Sequence, residues 1–119
     1  MKHLAILGST GSIGQSTLRI VESYPDRFSV VSLVAGHNLD TAFEQCQRWR
    51  PRVISLADEA LADALRLRLH SAGITGIDVV HGTAGTVHAA TLPEVNFVVS
   101  AIVGVAGLEA TYAAIVAGK

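Results

Sequence analysis

A single cysteine, Cys46, stands in 119 residues. That excludes a disulfide framework and any cysteine-based zinc or iron–sulfur site within the chain. Charge is scarce too: 16% of the residues are charged, against roughly 25% in ordinary soluble domains. Nine Lys and Arg oppose ten Asp and Glu, for a formal net charge of −1. No basic stripe is available to grip nucleic acid, and no acidic block forms a solvating tail. Nor is there an uninterrupted stretch near the ~20 apolar residues of a membrane span. The longest candidates, around 30–35 and 97–106, are broken by polar residues or glycine. Behind Met1, Lys2 and His3 the apolar run 4–7 stops at Gly8, too short for the ~7–15 apolar residues of a secretory signal. These absences point to a reduced, cytoplasmic protein without nucleic-acid or membrane partners.

What is present is apolar: half the residues are hydrophobic, enough for one domain with a real core. Short β-branched runs recur at 4–7, 30–34, 53–56, 77–80 and 97–99, apolar at nearly every position. Strands covered on both faces of a parallel sheet read this way. Between them the spacing turns helical. Leu39, Phe43, Cys46 and Trp49 make one face, ended by Pro51. Asp58 caps a helix carrying Leu61, Leu65, Leu69 and Ala72, and Gly73 stops it. Leu108, Tyr112 and Ile115 repeat similarly before Gly118, and 83–90 reads as a short helix. The alternation predicts an α/β fold: a doubly wound, Rossmann-like parallel sheet of five strands in the order 3-2-1-4-5.

The first turn carries the chemistry. Gly8-Ser9-Thr10-Gly11-Ser12-Ile13-Gly14 follows the first strand and opens a helix running to about Tyr24. A glycine triplet alone is weak evidence; between strand and amphipathic helix it is the context that dinucleotide binding requires. Gly8 permits the sharp exit from the strand, Gly11 admits a pyrophosphate close to the backbone, and Gly14 lets helix and sheet pack closely. Thr10 and Ser12 offer hydroxyl donors, and the amides near Ser12 and Ile13 direct the positive helix end at the anion. A P-loop does not fit: five residues, not four, separate Gly8 from Gly14, and Gln15 stands where its lysine belongs.

The end of the second strand bears on the choice of cofactor. NAD enzymes place an acid there for the ribose 2′-hydroxyl; here Ala35-Gly36-His37-Asn38 follows Val34. Gly36 leaves room for a 2′-phosphate, and His37 and Asn38 can donate to it. Asn38 has a second reading, as the N-cap of the next helix. Asp40 is placed as a first-turn residue favoured by the helix dipole rather than as the missing acid. A small-residue turn at 100–107 follows the fifth strand and reads either as a second cofactor contact or as a plain turn. The five histidines lack metal-ligand spacing, Cys46 reads as core, and no serine sits in a nucleophile elbow. These residues alone leave open an NADP-dependent oxidoreductase, such as an extended short-chain or semialdehyde dehydrogenase, and a non-catalytic nucleotide sensor.

Four motifs in order narrow this. Gly8 to Gly14, Val34-Ala35-Gly36-His37-Asn38, Ala101-Ile102-Val103-Gly104 with Ala106-Gly107-Leu108, and Ala117-Gly118-Lys119 resemble the N-terminal NADPH-binding portion of the 1-deoxy-D-xylulose 5-phosphate reductoisomerase family. The resemblance implies an enzyme of non-mevalonate isoprenoid biosynthesis. It converts 1-deoxy-D-xylulose 5-phosphate, a phosphorylated sugar, to 2-C-methyl-D-erythritol 4-phosphate with NADPH. A divalent cation (Mg²⁺, Mn²⁺ or Co²⁺) assists, and the enzyme is a homodimer inhibited by fosmidomycin. Carried over by motif, Thr10, Gly11, Ser12 and Ile13 hold the pyrophosphate of NADPH, while Gly36, His37 and Asn38 border its 2′-phosphate. His37 departs from the Lys or Arg common in the family. The family's metal carboxylates, substrate contacts and lid match no position here. The expectation is therefore an NADPH-binding domain over 1–119, inactive alone, with a sixth strand and the catalytic and C-terminal domains beyond Lys119.

Overall fold

The computed structural model describes residues 1–101; the expected turn at 102–107 and the helix around Leu108–Ile115 lie outside them. Among the described residues the elements are β1 (Lys2–Leu7), α1 (Ser12–Ser23), β2 (Phe28–Gly36), α2 (Leu39–Trp49), β3 (Val53–Leu56), α3 (Glu59–Ser71), β4 (Asp78–His81), α4 (Gly82–Ala90) and β5 (Phe97–Ser100). All five strands run parallel in one sheet. The fold is therefore the Rossmann-like α/β sheet expected; the apolar runs of β1, β2 and β3 are largely buried, as a parallel sheet requires, while the outer strands β4 and β5 are only partly so.

The strand order corrects the expected 3-2-1-4-5: it is β4-β3-β2-β1-β5. The reason lies in which face each helix covers. Leu18 and Val21 of α1, Ala42 and Cys46 of α2 and Ala62, Leu65 and Leu69 of α3 share one core with Leu4, Ile6, Leu33 and Ile54 of the sheet. Three successive crossovers on one face, all of one hand, carry the chain outward to β4. The return is made by α4 on the opposite face, where Ala89 and Ala90 pack with Ala5, Leu7, Val31 and Val53. The same handedness on the other face reverses direction, so β5 lands beside β1. The small residues of α4 make this crossing possible. A Cβ on Gly85 would stand 2.8 Å from Ser55 Oγ and 3.0 Å from Val80 Cγ2, so the helix lies almost on the strands.

The helix ends follow their sequence signals. Asp58 accepts from the Leu61 amide at 2.9 Å and caps α3. Arg50, in the left-handed region at φ 47°, closes α2 ahead of Pro51. Cys46 is core, as expected, and burial pushes its thiol from 9.0 up to about 12. Two outcomes follow from this. Ellman's reagent should label Cys46 only after denaturation. Stability should also fall as pH rises from about 9 toward 12, because there the unfolded chain ionises a thiol that the folded chain keeps neutral. Labelling of the native chain at the rate of a free thiol would contradict the first outcome.

Candidate functional site

The corrected order places the switch point between β1 and β5. Helices cover one face after β1 and the other before β5, so a crevice opens at the carboxyl ends of these two strands. Ser100 pairs with Leu7, and the Ala101 amide donates to the Leu7 carbonyl at 2.7 Å. The residues after β5 therefore begin directly beside the glycine-rich turn, closer than the expected order would have put them.

That turn is anchored on several sides. Gly8, at φ 85°, takes the chain out of β1 as only glycine does comfortably. The amides of Gly8 and Ser9 both donate to the Val34 carbonyl at 2.9 Å. Gln15 Nε2 donates to the Thr10 carbonyl at 2.8 Å, and Gln45 Nε2, from α2, to the Ser9 carbonyl at 2.7 Å. Gly14 is buried against the turn: a Cβ there would lie 2.1 Å from the Gly8 carbonyl oxygen and 2.7 Å from Ser9 Cα. Close packing of helix on turn is thus its role. Gly11 differs. It is the N-cap of α1 with φ −75° and no side-chain cap, and a Cβ would meet only the Gly8 carbonyl oxygen, at 3.6 Å. Nothing inside the fold demands glycine at position 11; the space its Cβ would fill opens outward. Gly11, Ser12 and Ile13 are all exposed at the start of α1; the Gly11 amide donates to the Gly8 carbonyl at 3.2 Å, and the first helix amides after it, with the dipole, favour an anion.

Thr10 departs from the sequence reading. Its hydroxyl donates to the Ala35 carbonyl at 2.6 Å, so its one proton is spent inside the fold, and its backbone N–H is the group left for an anion. The contact also ties the turn to the end of β2, one residue before Gly36.

The β2 tip is open. Gly36 adopts φ 73°, and a Cβ there would meet nothing within 4 Å, so it combines a left-handed backbone with free space. His37 and Asn38 are exposed beside it. Asn38 Oδ1 accepts from the Thr41 amide at 3.1 Å. The capping role is therefore real, and its amide nitrogen keeps its donors. Asp40 is held away from the tip's chemistry by Arg68 of α3, whose Nη1 donates to Asp40 Oδ1 at 2.7 Å. No free carboxylate marks the position where an NAD enzyme needs one.

Turn and tip share a cleft of about 350 Å³ lined by Gly8, Ala35, Gly36, His37, Ala57 and Thr83, among others. Sequence reasoning missed its far wall, Ala57 with Gly82, Thr83 and Thr86 of α4. The available signal was the Gly82-Thr83 pair directly after the fourth strand, where the carboxyl edge of the sheet lies. Among the described residues no group of three or more His, Cys, Asp or Glu is placed to hold a metal ion, and no helix is long and apolar enough to cross a membrane.

A parallel sheet with a glycine-rich first turn, an exposed helix N-terminus and an acid-free second tip is the architecture of dinucleotide-binding α/β domains. Comparison with known proteins narrows the class to a family. A model of 1-deoxy-D-xylulose 5-phosphate reductoisomerase matches residues 4–119, and the chain belongs to that family. Similar relatives include the 1-deoxy-D-xylulose 5-phosphate reductoisomerases of Anaeromyxobacter sp. (strain K) and Methylococcus capsulatus, 51% and 50% identical over 119 residues. Each match covers 100% of this chain and 30% of the relative, so the chain spans under a third of their length. Among solved structures, DOX-P reductoisomerase in complex with NADPH, fosmidomycin and magnesium superposes with a TM-score of 0.94 at 35% identity, over 100% of this chain and 29% of that one. The Zymomonas mobilis enzyme in complex with NADPH gives 0.88 at 34% identity, over 99% of this chain and 30% of that one.

Proposed function

We propose that the chain is the NADPH-binding domain of a 1-deoxy-D-xylulose 5-phosphate reductoisomerase. The whole enzyme rearranges and reduces 1-deoxy-D-xylulose 5-phosphate to 2-C-methyl-D-erythritol 4-phosphate, works in the cytoplasm and is a homodimer. The observation that carries this reading is the pairing of an outward-facing turn at Gly11 with an open, acid-free tip at Gly36. The backbone amides of Thr10, Ser12 and Ile13 receive the pyrophosphate, which passes over Gly11, whose own amide donates to the Gly8 carbonyl at 3.2 Å. Gly36 gives the 2′-phosphate its space, with His37 and Asn38 as donors, and the cleft toward Ala57 and Thr83 takes the adenosine. NADPH supplies the hydride; the described residues bind and orient it. The Mg²⁺, Mn²⁺ or Co²⁺ that the family resemblance implies finds no ligand set among them.

Isothermal titration tests this. NADPH should bind the chain at least about tenfold more tightly than NADH, the margin that a charge-assisted contact to the 2′-phosphate provides. His37 is exposed beside Gly36 and lines the same cleft, so His37→Ala should narrow that margin. NADH binding as tightly as NADPH would overturn the cofactor assignment. An unchanged margin in His37→Ala would remove His37 from it.

A further inference from the structure

We infer that Gln45 is a positioning residue for the pyrophosphate turn, acting from the interior of α2 through the Ser9 carbonyl; this rests on the NADPH reading above. Gln45 lies on the packed side of α2, beside the core residues Ala42 and Cys46. Its side chain is buried, and its Oε1 has no hydrogen-bond partner. An amide kept there with one end unsatisfied costs stability that a methionine or leucine of similar length would not. Such a group needs an explanation, and the one contact it makes supplies it: Nε2 donates to the Ser9 carbonyl at 2.7 Å, across 36 residues of sequence.

Ser9 is the hinge of the turn. It is fully buried, and its amide already donates to the Val34 carbonyl at 2.9 Å. With its carbonyl held by Gln45, both peptide groups of Ser9 are fixed, one to β2 and one to α2. The amides that follow, from Thr10 to Ile13, then leave the turn from a set place. Without Gln45 the Ser9 carbonyl is buried with no donor, and relief requires the turn to shift.

The position of Gln45 in α2 adds a second consequence. Asn38, at the tip that borders the 2′-phosphate, is the N-cap of the same helix. Gln45 follows seven residues later, two helical turns, so it lies on the same face roughly 10 Å along the axis. One rigid helix thus sets the spacing between the two anion-binding ends of the site. Losing Gln45 should uncouple the pyrophosphate end and leave the adenosine 2′-phosphate end as it was.

The test compares two ligands on the full chain: NADPH, which engages both ends, and adenosine 2′-monophosphate, which engages only the tip. Gln45→Met should weaken NADPH roughly tenfold while adenosine 2′-monophosphate stays within about twofold. Gln45→Glu provides the rescue. Its carboxylate cannot donate to Ser9, whereas its protonated form can, so NADPH affinity relative to the unsubstituted chain should recover as pH is lowered from 8 toward 5. Equal weakening of both ligands in Gln45→Met indicates general loosening and overturns the inference, as does unchanged NADPH binding. If Gln45→Met fails to fold, Gln45→Glu decides alone, and a relative affinity that does not change with pH overturns it. Should the unsubstituted chain bind no NADPH, it is the functional reading that falls; binding that both variants retain sinks this inference only.

Discussion

Gly14→Ala is expected to destabilise the chain by about 3 kcal/mol or more, at the upper end of overpacking effects. The added methyl group would sit 2.1 Å from the Gly8 carbonyl oxygen, with Ser9 Cα and carbonyl carbon at 2.7 and 2.8 Å. All three atoms are backbone, and the turn they belong to is bonded to Val34 and Gln45. No rotamer change relieves the clash; either α1 moves off the sheet or the turn deforms. Thermal unfolding followed by circular dichroism should show a midpoint lowered by about 10 °C or more. An unchanged midpoint would mean that α1 does not press on the turn in this way.

Gly11→Ala, three residues earlier, should behave in the opposite manner. Its φ of −75° and ψ of 173° suit any L-residue, and the new Cβ would meet its nearest neighbour at an ordinary 3.6 Å. Alanine is a poorer N-cap than glycine, so stability should drop by less than about 1 kcal/mol. The methyl group does, however, occupy the place where a pyrophosphate approaches the helix amides. NADPH affinity should fall about a hundredfold, equivalent to ~2.7 kcal/mol, while adenosine 2′-monophosphate binding changes little. Retention of NADPH affinity in a folded Gly11→Ala chain would move the pyrophosphate away from this turn. Together the two substitutions separate a glycine required by packing from one required by a ligand.

Much of this was legible in the residues themselves. The apolar runs bounded by glycine, proline and polar residues mark all five strands, most clearly the inner ones, since a strand buried on both faces leaves no alternation to confuse with a helix. Asp58, Pro51 and Gly73 ended their helices where their backbone chemistry says they must. The glycine-rich turn could be read because each glycine answers a separate demand, and two of those demands reappear in the fold, in the positive φ of Gly8 and the close packing at Gly14. The strand order was not legible. Nothing in the composition of α3 or β4 says that the third crossover continues outward; that depends on which face α4 covers, a property of the packed sheet. Nor could the sequence show that the Thr10 hydroxyl turns inward to Ala35, or that Gln45 reaches Ser9, because both contacts join residues 25 and 36 positions apart. Polar side chains with a choice of partners are settled by tertiary neighbours, and the pattern of apolar residues does not record them.

The place of β5 in the sheet also has a consequence for how the molecule comes together. From β1 to β4 each strand is laid beside its predecessor, with one helix between them, so those contacts close short loops and form early. β5 pairs with β1 across some ninety residues of chain, in the register Leu4 with Phe97 through Leu7 with Ser100. It can dock only once the rest is in place and α4 has crossed back. The wall beside the glycine-rich turn is therefore expected to form late, and hydrogen exchange of the β5 amides should be faster than that of β2. A ligand that bridged this seam would hold β5 on β1 and stabilise the folded state by its binding free energy, acting as a clasp on the fold.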